Sequence, residues 1–566
     1  MSTILFKAIA VLAIVGQVVV NGLSIPDPGD GHRAAIIQVN SNLIQNVDRT
    51  YSVGDQTFVI NPGPEVSPTS MLYFEHLVKQ ATELTATTNH NASKIRIMLE
   101  ERLPLSTEED FRQIYEELAA AGMMPVPSTF DSSDENFGAM RLGLLGYNLK
   151  LVRSGEYTEN LCEIPSFLLS DVCAEPNLAR ALNNHKLFAA DFSGYGQLSD
   201  EAVKDVKYIP SVIGFFCHNT EKRLLLPLAI TIVDTGLTYT KVDSPGEWQL
   251  AKMAFHATEV NFQQMRHFVE THLVSVPVQV EMIRSLAAEH PVYALLDYHF
   301  FANFGMEYFA RRELLSPGTP YDQVTGYGAT GSLRAVMQEF DTISVKLDLL
   351  ADLTARGMEF LSDYRLNRYG TKYYKIIKKF VTEYVRAYYP NEKAIANDAE
   401  LQTWAARSSR LKHIHGFPPT FTGFDDLVQV LTHYIFQNAI KHHFMNGQAS
   451  WHSTAAPFSA PALYNQPLPT EKGIHVDPFN YVMSNETVPN MVYLYSWFTR
   501  EVALNVSALN FYQVEPFTSE EVLVEPIREF RESMEDMERF VNFAEEQQPF
   551  SSDIFKPSAL PFYSFI

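Results

Sequence analysis

Trp248-Gln249-Leu250-Ala251-Lys252 opens a long helix-forming segment that contains His267-Phe268-Val269-Glu270-Thr271-His272. Two histidines serve one metal only if their rings converge. At 100° per residue, five positions amount to about 500°, so a regular α-helix leaves the rings about 140° apart. A single π-turn would bring them onto one face, and such turns concentrate at functional sites. In a chain with 17 His the pair alone is a weak signal. It gains weight from a second segment, Leu431 to Gln448. There His442 and Asn446 are four apart and share a helical face. An amide oxygen suits a hard cation. Ile435, Phe436, Ala439 and Met445 make this helix largely buried, and buried His and Asn need partners. A metal, or each other, would serve.

Outward from these segments, helical spacing dominates from Trp248 to about residue 545. The strand-rich part is small: Lys186 to Phe188, Tyr208 to Phe216 and Leu224 to Val233. Helical spacing is also expected from Ser70 (Met71, Leu72, Phe74, Leu77) and over Glu108 to Ala121. Residues 23–70 are polar, rich in Pro, Gly and Asn, and read as an extended arm. The closing stretch, Phe555 to Ile566, is apolar and aromatic, where exposed tails are normally polar. It is expected to be tied down inside the protein. The fold class is therefore mainly α with a small strand-rich region, and a metal site, if these His and Asn residues form one, would lie between two long central helices.

The 566 residues suffice for a large core, and 46% hydrophobic with 19% charged is ordinary for a globular protein. A net charge of −22 excludes nucleic acid as an expected partner, since phosphate binding needs clustered cations. The 38 Phe and 27 Tyr fit a big core, or an apolar cavity for a hydrocarbon ligand. Residues 1–22 carry one early cation (Lys7), the apolar run Ala8 to Val15 and small residues near Gly22, the pattern of a signal peptide. Secretion follows as an expectation, with no transmembrane anchor after cleavage. Asn91, Asn485 and Asn505 lie in glycosylation sequons. Of three cysteines, Cys162 and Cys173 close a short loop and could pair, which would leave Cys217 free. No phosphate loop, nucleophile elbow or HExxH motif is present.

These residues resemble the lipoxygenase family. Its first signature appears as Trp248, Ala251-Lys252, His267, His272, Arg284, Leu286, His290-Pro291 and Leu295-Leu296, in that order. Its second appears as His442, Asn446, Gly447 and Gln448, and its third as a branched aliphatic C-terminal residue, Ile566. Ala355 to Glu359, Glu400-Leu401-Gln402 and Pro467 to Gly473 add smaller echoes. The resemblance covers residues 128–566, read as the catalytic domain, with 23–127 as an N-terminal arm and helical extension lacking a β-barrel. Gly447 adjoins Asn446 directly, where the family places one residue between them. The signal pattern, the His442-His443 doublet and the chain ending look like the secreted, fungal-type branch, some of whose members use manganese.

The resemblance implies that His267, His272, His442, Asn446 and the Ile566 carboxylate hold one non-haem iron or manganese ion. Gln263 and Gln448 become the amides that orient those ligands, and His290 a structural histidine. It implies a monomeric dioxygenase that takes a bis-allylic hydrogen from a polyunsaturated fatty acid and adds O2. N/O ligation without thiolate suits iron or manganese and argues against a structural zinc site. Ala310 falls where the family carries Ala for S and Gly for R hydroperoxides. Arg500 is a candidate cation for the substrate carboxylate at the entrance. Two alternatives share the fold: a catalytically silent lipid-binding protein, and a hydroperoxide isomerase.

Overall fold

Ser244 starts the helix that carries the first histidine pair. Its hydroxyl accepts from the Glu247 amide at 3.3 Å while the Glu247 carboxylate accepts from the Ser244 amide at 3.2 Å. Pro245 occupies the first helical position, where its missing N–H costs nothing. The architecture around this helix is that of a computed structural model. It describes residues 22–564 apart from 28–29, 67–96, 99, 103–104, 106, 122–131, 144, 200–203, 346–348, 448–457 and 497–501. The helices expected from Ser70 onward fall largely outside the described residues.

In chain order the elements that position the site are α1 (Gly31–Leu43), β1 (Ile44–Val53), β2 (Gln56–Val66), α2 (Glu108–Ala120) and α3 (Asp134–Leu142). The strands β3 (Leu149–Leu151), β4 (Leu187–Phe192), β5 (Val212–Asn219), β6 (Leu224–Ile232) and β7 (Leu237–Tyr239) follow. Then come the helices α4 (Pro245–His267), α5 (Ser275–Ile283), α6 (Asn303–Glu313), α7 (Gly328–Phe340), α8 (Thr371–Tyr388), α9 (Phe424–Ile435), α10 (His442–Asn446) and α11 (Val524–Glu546). The chain is mainly helical, as its periodicity predicts.

Strands β3 to β7 form one antiparallel sheet in sequential order. Every residue of β5 is buried, so the strand reads as a continuous apolar run instead of alternating. Pro227 pairs with Phe216 at the point where the β5–β6 register shifts, the place a residue without an N–H is tolerated. α3 lies close on β6. A Cβ on Gly138 would sit 1.6 Å from the Leu225 carbonyl oxygen, so only glycine allows that approach.

The N-terminal part corrects one expectation. Residues 31–66 are not an extended arm: they form α1 and the antiparallel hairpin β1–β2, which turns at Gly54 with φ +60°. Gly54-Asp55 is a hairpin turn signal that polar composition masked. α1 is fastened to the body by Arg33, which is 3% exposed and donates to both oxygens of Glu400, at 2.7 and 3.0 Å. Glu400 also accepts from the Ala287 amide at 2.9 Å, which gives the Glu400-Leu401-Gln402 echo its physical reason.

The cysteine expectation is corrected as well. Cys173 bonds to Cys217 across 44 residues, and Cys162 is exposed and free. Cys217 lies on β5 and Cys173 ends the helix Ser166–Val172, which packs on that sheet. Sheet packing, not loop length, brings the pair together. Opening this crosslink in Cys217→Ala is expected to cost about 2–4 kcal/mol, read as a lower urea midpoint; an unchanged midpoint would refute it.

Candidate metal centre

α4 runs through the core with nearly every residue buried. Trp248 Nε1 and Lys252 Nζ both donate to Asp134 Oδ1, at 2.9 and 3.0 Å. The Trp-x-x-Ala-Lys signature thus clamps α4 to the first residue of α3. Glu259 pairs with Arg141 at 2.6 Å, both essentially unexposed. Burial pushes the Glu259 carboxyl up to about 7 even against the arginine. His290 is structural as expected: its Nδ1 accepts from the Val292 amide at 3.0 Å, and its Nε2 lies 3.0 Å from Asp398. Tyr389 completes that cluster, donating to Asp398 at 2.6 Å.

At His267 the α-helix gives way to a π-turn, Phe268–Leu273, the local unwinding that the five-residue spacing demands. The rings then converge, with His267 Nε2 and His272 Nε2 3.3 Å apart. α9 leads into a second π-turn, Phe436–Lys441, which carries His442 to the same point; this one was not foreseen. His442 Nε2 lies 3.0 Å from His272 Nε2. All three rings are at most 5% exposed. Burial, reinforced by His272, holds His267 well below its ordinary pKa, and burial takes His272 down to about 3. Burial and the other imidazoles do the same to His442. The rings are therefore neutral at physiological pH, the form in which a nitrogen lone pair is free for a metal.

Asn446, 1% exposed, has both its amide oxygen and its amide nitrogen sealed from water without a hydrogen-bond partner among the described residues. Orphaned buried polar atoms are rare, and a cation among the imidazoles would satisfy the oxygen. The residues present thus fit an N/O-ligated metal. Gln263 Nε2 donates to the Met445 carbonyl at 3.3 Å, tying α4 to the residue before Asn446. Gly447 follows directly because a Cβ there would lie 2.5 Å from the His443 ring. His443 is buried but is not one of the three converging rings.

Gln448, Arg500 and Ile566 lie outside the described residues. The chain leading to Ile566 is drawn inward as its composition predicts. Leu560 and Ser564 are unexposed, the Phe562 carbonyl accepts from His299 Nδ1 at 2.6 Å, and Ser564 Oγ donates to Asn438 on the second π-turn at 2.8 Å.

Glu270, which sequence reasoning missed, sits between the two histidines with an unexposed side chain. It accepts from Lys441 Nζ, from Gln437 Nε2 at 2.9 Å and from Arg266 Nε at 3.1 Å. Arg266 continues to Glu339 at 3.0 Å, which accepts from Tyr195 at 2.9 Å. Burial alone would raise the Glu270 carboxyl; Lys441 and Arg266 outweigh it and hold it well below the usual range. Gln437 and Lys441 both belong to the second π-turn, so one carboxylate ties the two π-turns together. The only sequence signal was a charge inside an apolar run.

Two clefts adjoin this centre. One is narrow and mostly apolar, lined by Met265, Phe268, Met306, Ala310, Leu314 and Leu315 together with His267, His272 and Asn446. The other is larger and charged, contains Arg266, Glu270, Glu339 and Lys441, and includes none of the three imidazoles. His267 and His272 thus line not the charged cleft but the smaller, apolar one. Ala310, 4% exposed, lies in its wall.

A manganese lipoxygenase of Fusarium oxysporum is 28% identical over 357 residues, 61% of this chain and 57% of that protein. One of Colletotrichum gloeosporioides is 26% identical over 347 residues, 59% of this chain and 56% of its own length. The matched regions thus span less than two thirds of these relatives. A solved manganese lipoxygenase superposes with a TM-score of 0.82 at 21% identity, covering 96% of this chain and 100% of that one, which establishes the shared fold. The sequence model of the lipoxygenase family matches residues 238–556, more than half of the chain and all three imidazoles, and the chain belongs to that family.

Proposed function

We propose that the protein is a fatty-acid dioxygenase that converts a polyunsaturated fatty acid and O2 into a hydroperoxide. The observation that carries this reading is the convergence of three imidazoles beside Asn446, which has no hydrogen-bond partner among the described residues, with His267, His272 and Asn446 lining an apolar cleft. A silent lipid carrier has no physical need for such a donor set. His267, His272, His442 and Asn446 would hold iron or manganese; the names of the fungal relatives support manganese. When bound, the metal supplies the one-electron chemistry that a side-chain base cannot offer a weakly acidic bis-allylic C–H. The chain's own residues do the rest. Met265, Phe268, Met306 and Leu315 take up the hydrocarbon and exclude water from it. Conjugated-diene absorbance with linoleate tests the reading: the protein is expected to generate it and lose it on metal removal. Product analysis at limiting O2 separates it from a hydroperoxide isomerase, which would rearrange added peroxide instead.

Ala310 is proposed to set the stereochemistry, because its methyl group lines the cleft and would shield one end of the substrate radical from O2. Mainly S hydroperoxide is expected from the natural protein, and a shift toward R from Ala310→Gly. Chiral chromatography showing an R-dominant natural enzyme would refute it. Secretion as a monomeric glycoprotein is proposed on the signal pattern of residues 1–22 and on Asn505, an exposed sequon asparagine. No helix of the described residues is long and apolar enough to cross a membrane. Appearance of the chain in the medium, with a mass loss on enzymatic deglycosylation, checks this.

A further inference from the structure

A second cluster of donors lies apart from the residues of the metal centre. Asp341, His413 and His415 place one donor atom each within 4.8 Å of the others. Asp341 caps the C-terminus of α7, whose last turn has no basic residue, so a carboxylate stands at the negative end of a helix dipole. That juxtaposition favours a cation. His413 and His415 belong to the loop after the helix Ala399–Ser408, and this loop is held in place. The His415 carbonyl accepts from the Val345 amide at 2.7 Å and from Ser344 Oγ at 3.2 Å. The His413 ring stacks on Phe340 with centroids 4.5 Å apart.

His413 also carries two unusual features. Its backbone has φ +62°, a conformation that favours glycine and costs a histidine energy. Its Nε2 is sealed from solvent without a hydrogen-bond partner among the described residues. Burial and the neighbouring Lys412 lower its pKa, which leaves the ring neutral and able to ligate. Asp48, at the register shift of β1, is near enough for its charge to act on the same ring.

We propose that Asp341, His413 and His415 form a second, surface metal site that takes a divalent transition ion of the zinc class. Two imidazoles and one carboxylate are borderline-soft donors that select zinc-like ions over calcium or magnesium. With bonds of about 2.0–2.1 Å, a tetrahedral zinc holds its ligand atoms roughly 3.4 Å apart. Asp341 and His415 are exposed, and the donor atoms lie within 4.8 Å of one another, so side-chain rotation would have to close the remainder. An ion there would fasten the end of α7 to the 413–416 loop, close to the N-terminal hairpin.

The test uses the full chain already loaded with its iron or manganese, dialysed against zinc. Elemental analysis is expected to find one added zinc per chain with the first metal retained. His415→Ala, Asp341→Asn and His413→Asn, the last chosen because Asn tolerates positive φ, should each weaken zinc binding at least about 10-fold, the lower bound seen even for changes that only support a ligand. Calcium should not bind in zinc's place. Zinc affinity unchanged in these variants, zinc entering only as the first metal leaves, or equal binding of calcium would each overturn the proposal.

Discussion

Replacing His442 by Ala is expected to leave a folded protein that holds almost no metal and forms no conjugated diene from linoleate. His442 Nε2 sits 3.0 Å from His272 Nε2, and the second π-turn exists to bring it there. Removing it takes one of three imidazoles from a buried site. Changes that only support a ligand cost about 10–100-fold in affinity, so loss of a ligand itself should exceed that. His272→Ala is expected to behave alike. The measurement is metal per chain by elemental analysis, beside the far-ultraviolet circular dichroism that checks folding. A folded His442→Ala protein with full metal content would show that the ion sits elsewhere.

The second large effect concerns Glu270. Its carboxylate is buried between Lys441, Gln437 and Arg266 and joins the two histidine-bearing turns. Glu270→Ala would strand Lys441, 11% exposed, without its charge partner, while Arg266 keeps Glu339. Breaking a buried ion pair from one side costs about 3–5 kcal/mol. Glu270→Ala is therefore expected to lower the urea midpoint sharply and to weaken metal retention, since the π-turns lose their crosslink. Glu270→Gln keeps some of the hydrogen bonding and should fall between. If Glu270→Ala matches the natural protein in both midpoint and metal content, the crosslink has no role.

The helical class, the strands near residues 187–232 and the convergence of His267 and His272 were all legible in the sequence. Each rests on local periodicity: apolar spacing for the elements, and 100° per residue for the π-turn. What escaped depends on tertiary packing. The second π-turn left no trace because His442 and Asn446 already share a face in a regular helix. The Cys173–Cys217 pair depends on how the Ser166–Val172 helix packs on the sheet beside β5, which no spacing rule encodes. Glu270 is one charge inside an apolar run, and only the approach of α9 and its π-turn supplies Lys441 and Gln437. In the N-terminal part, polar residues hid the hairpin, although Gly54-Asp55 marked its turn. Arg33 is buried because Glu400, 367 residues away, receives it.

The most direct test of the central claim is isotopic. The metal-loaded protein is incubated with linoleate under 18O2, and the product is analysed by mass spectrometry. A hydroperoxide carrying both 18O atoms, formed by the natural protein and absent with His442→Ala, is the result expected. Recovery of unreacted linoleate from a protein with its full metal complement would contradict it.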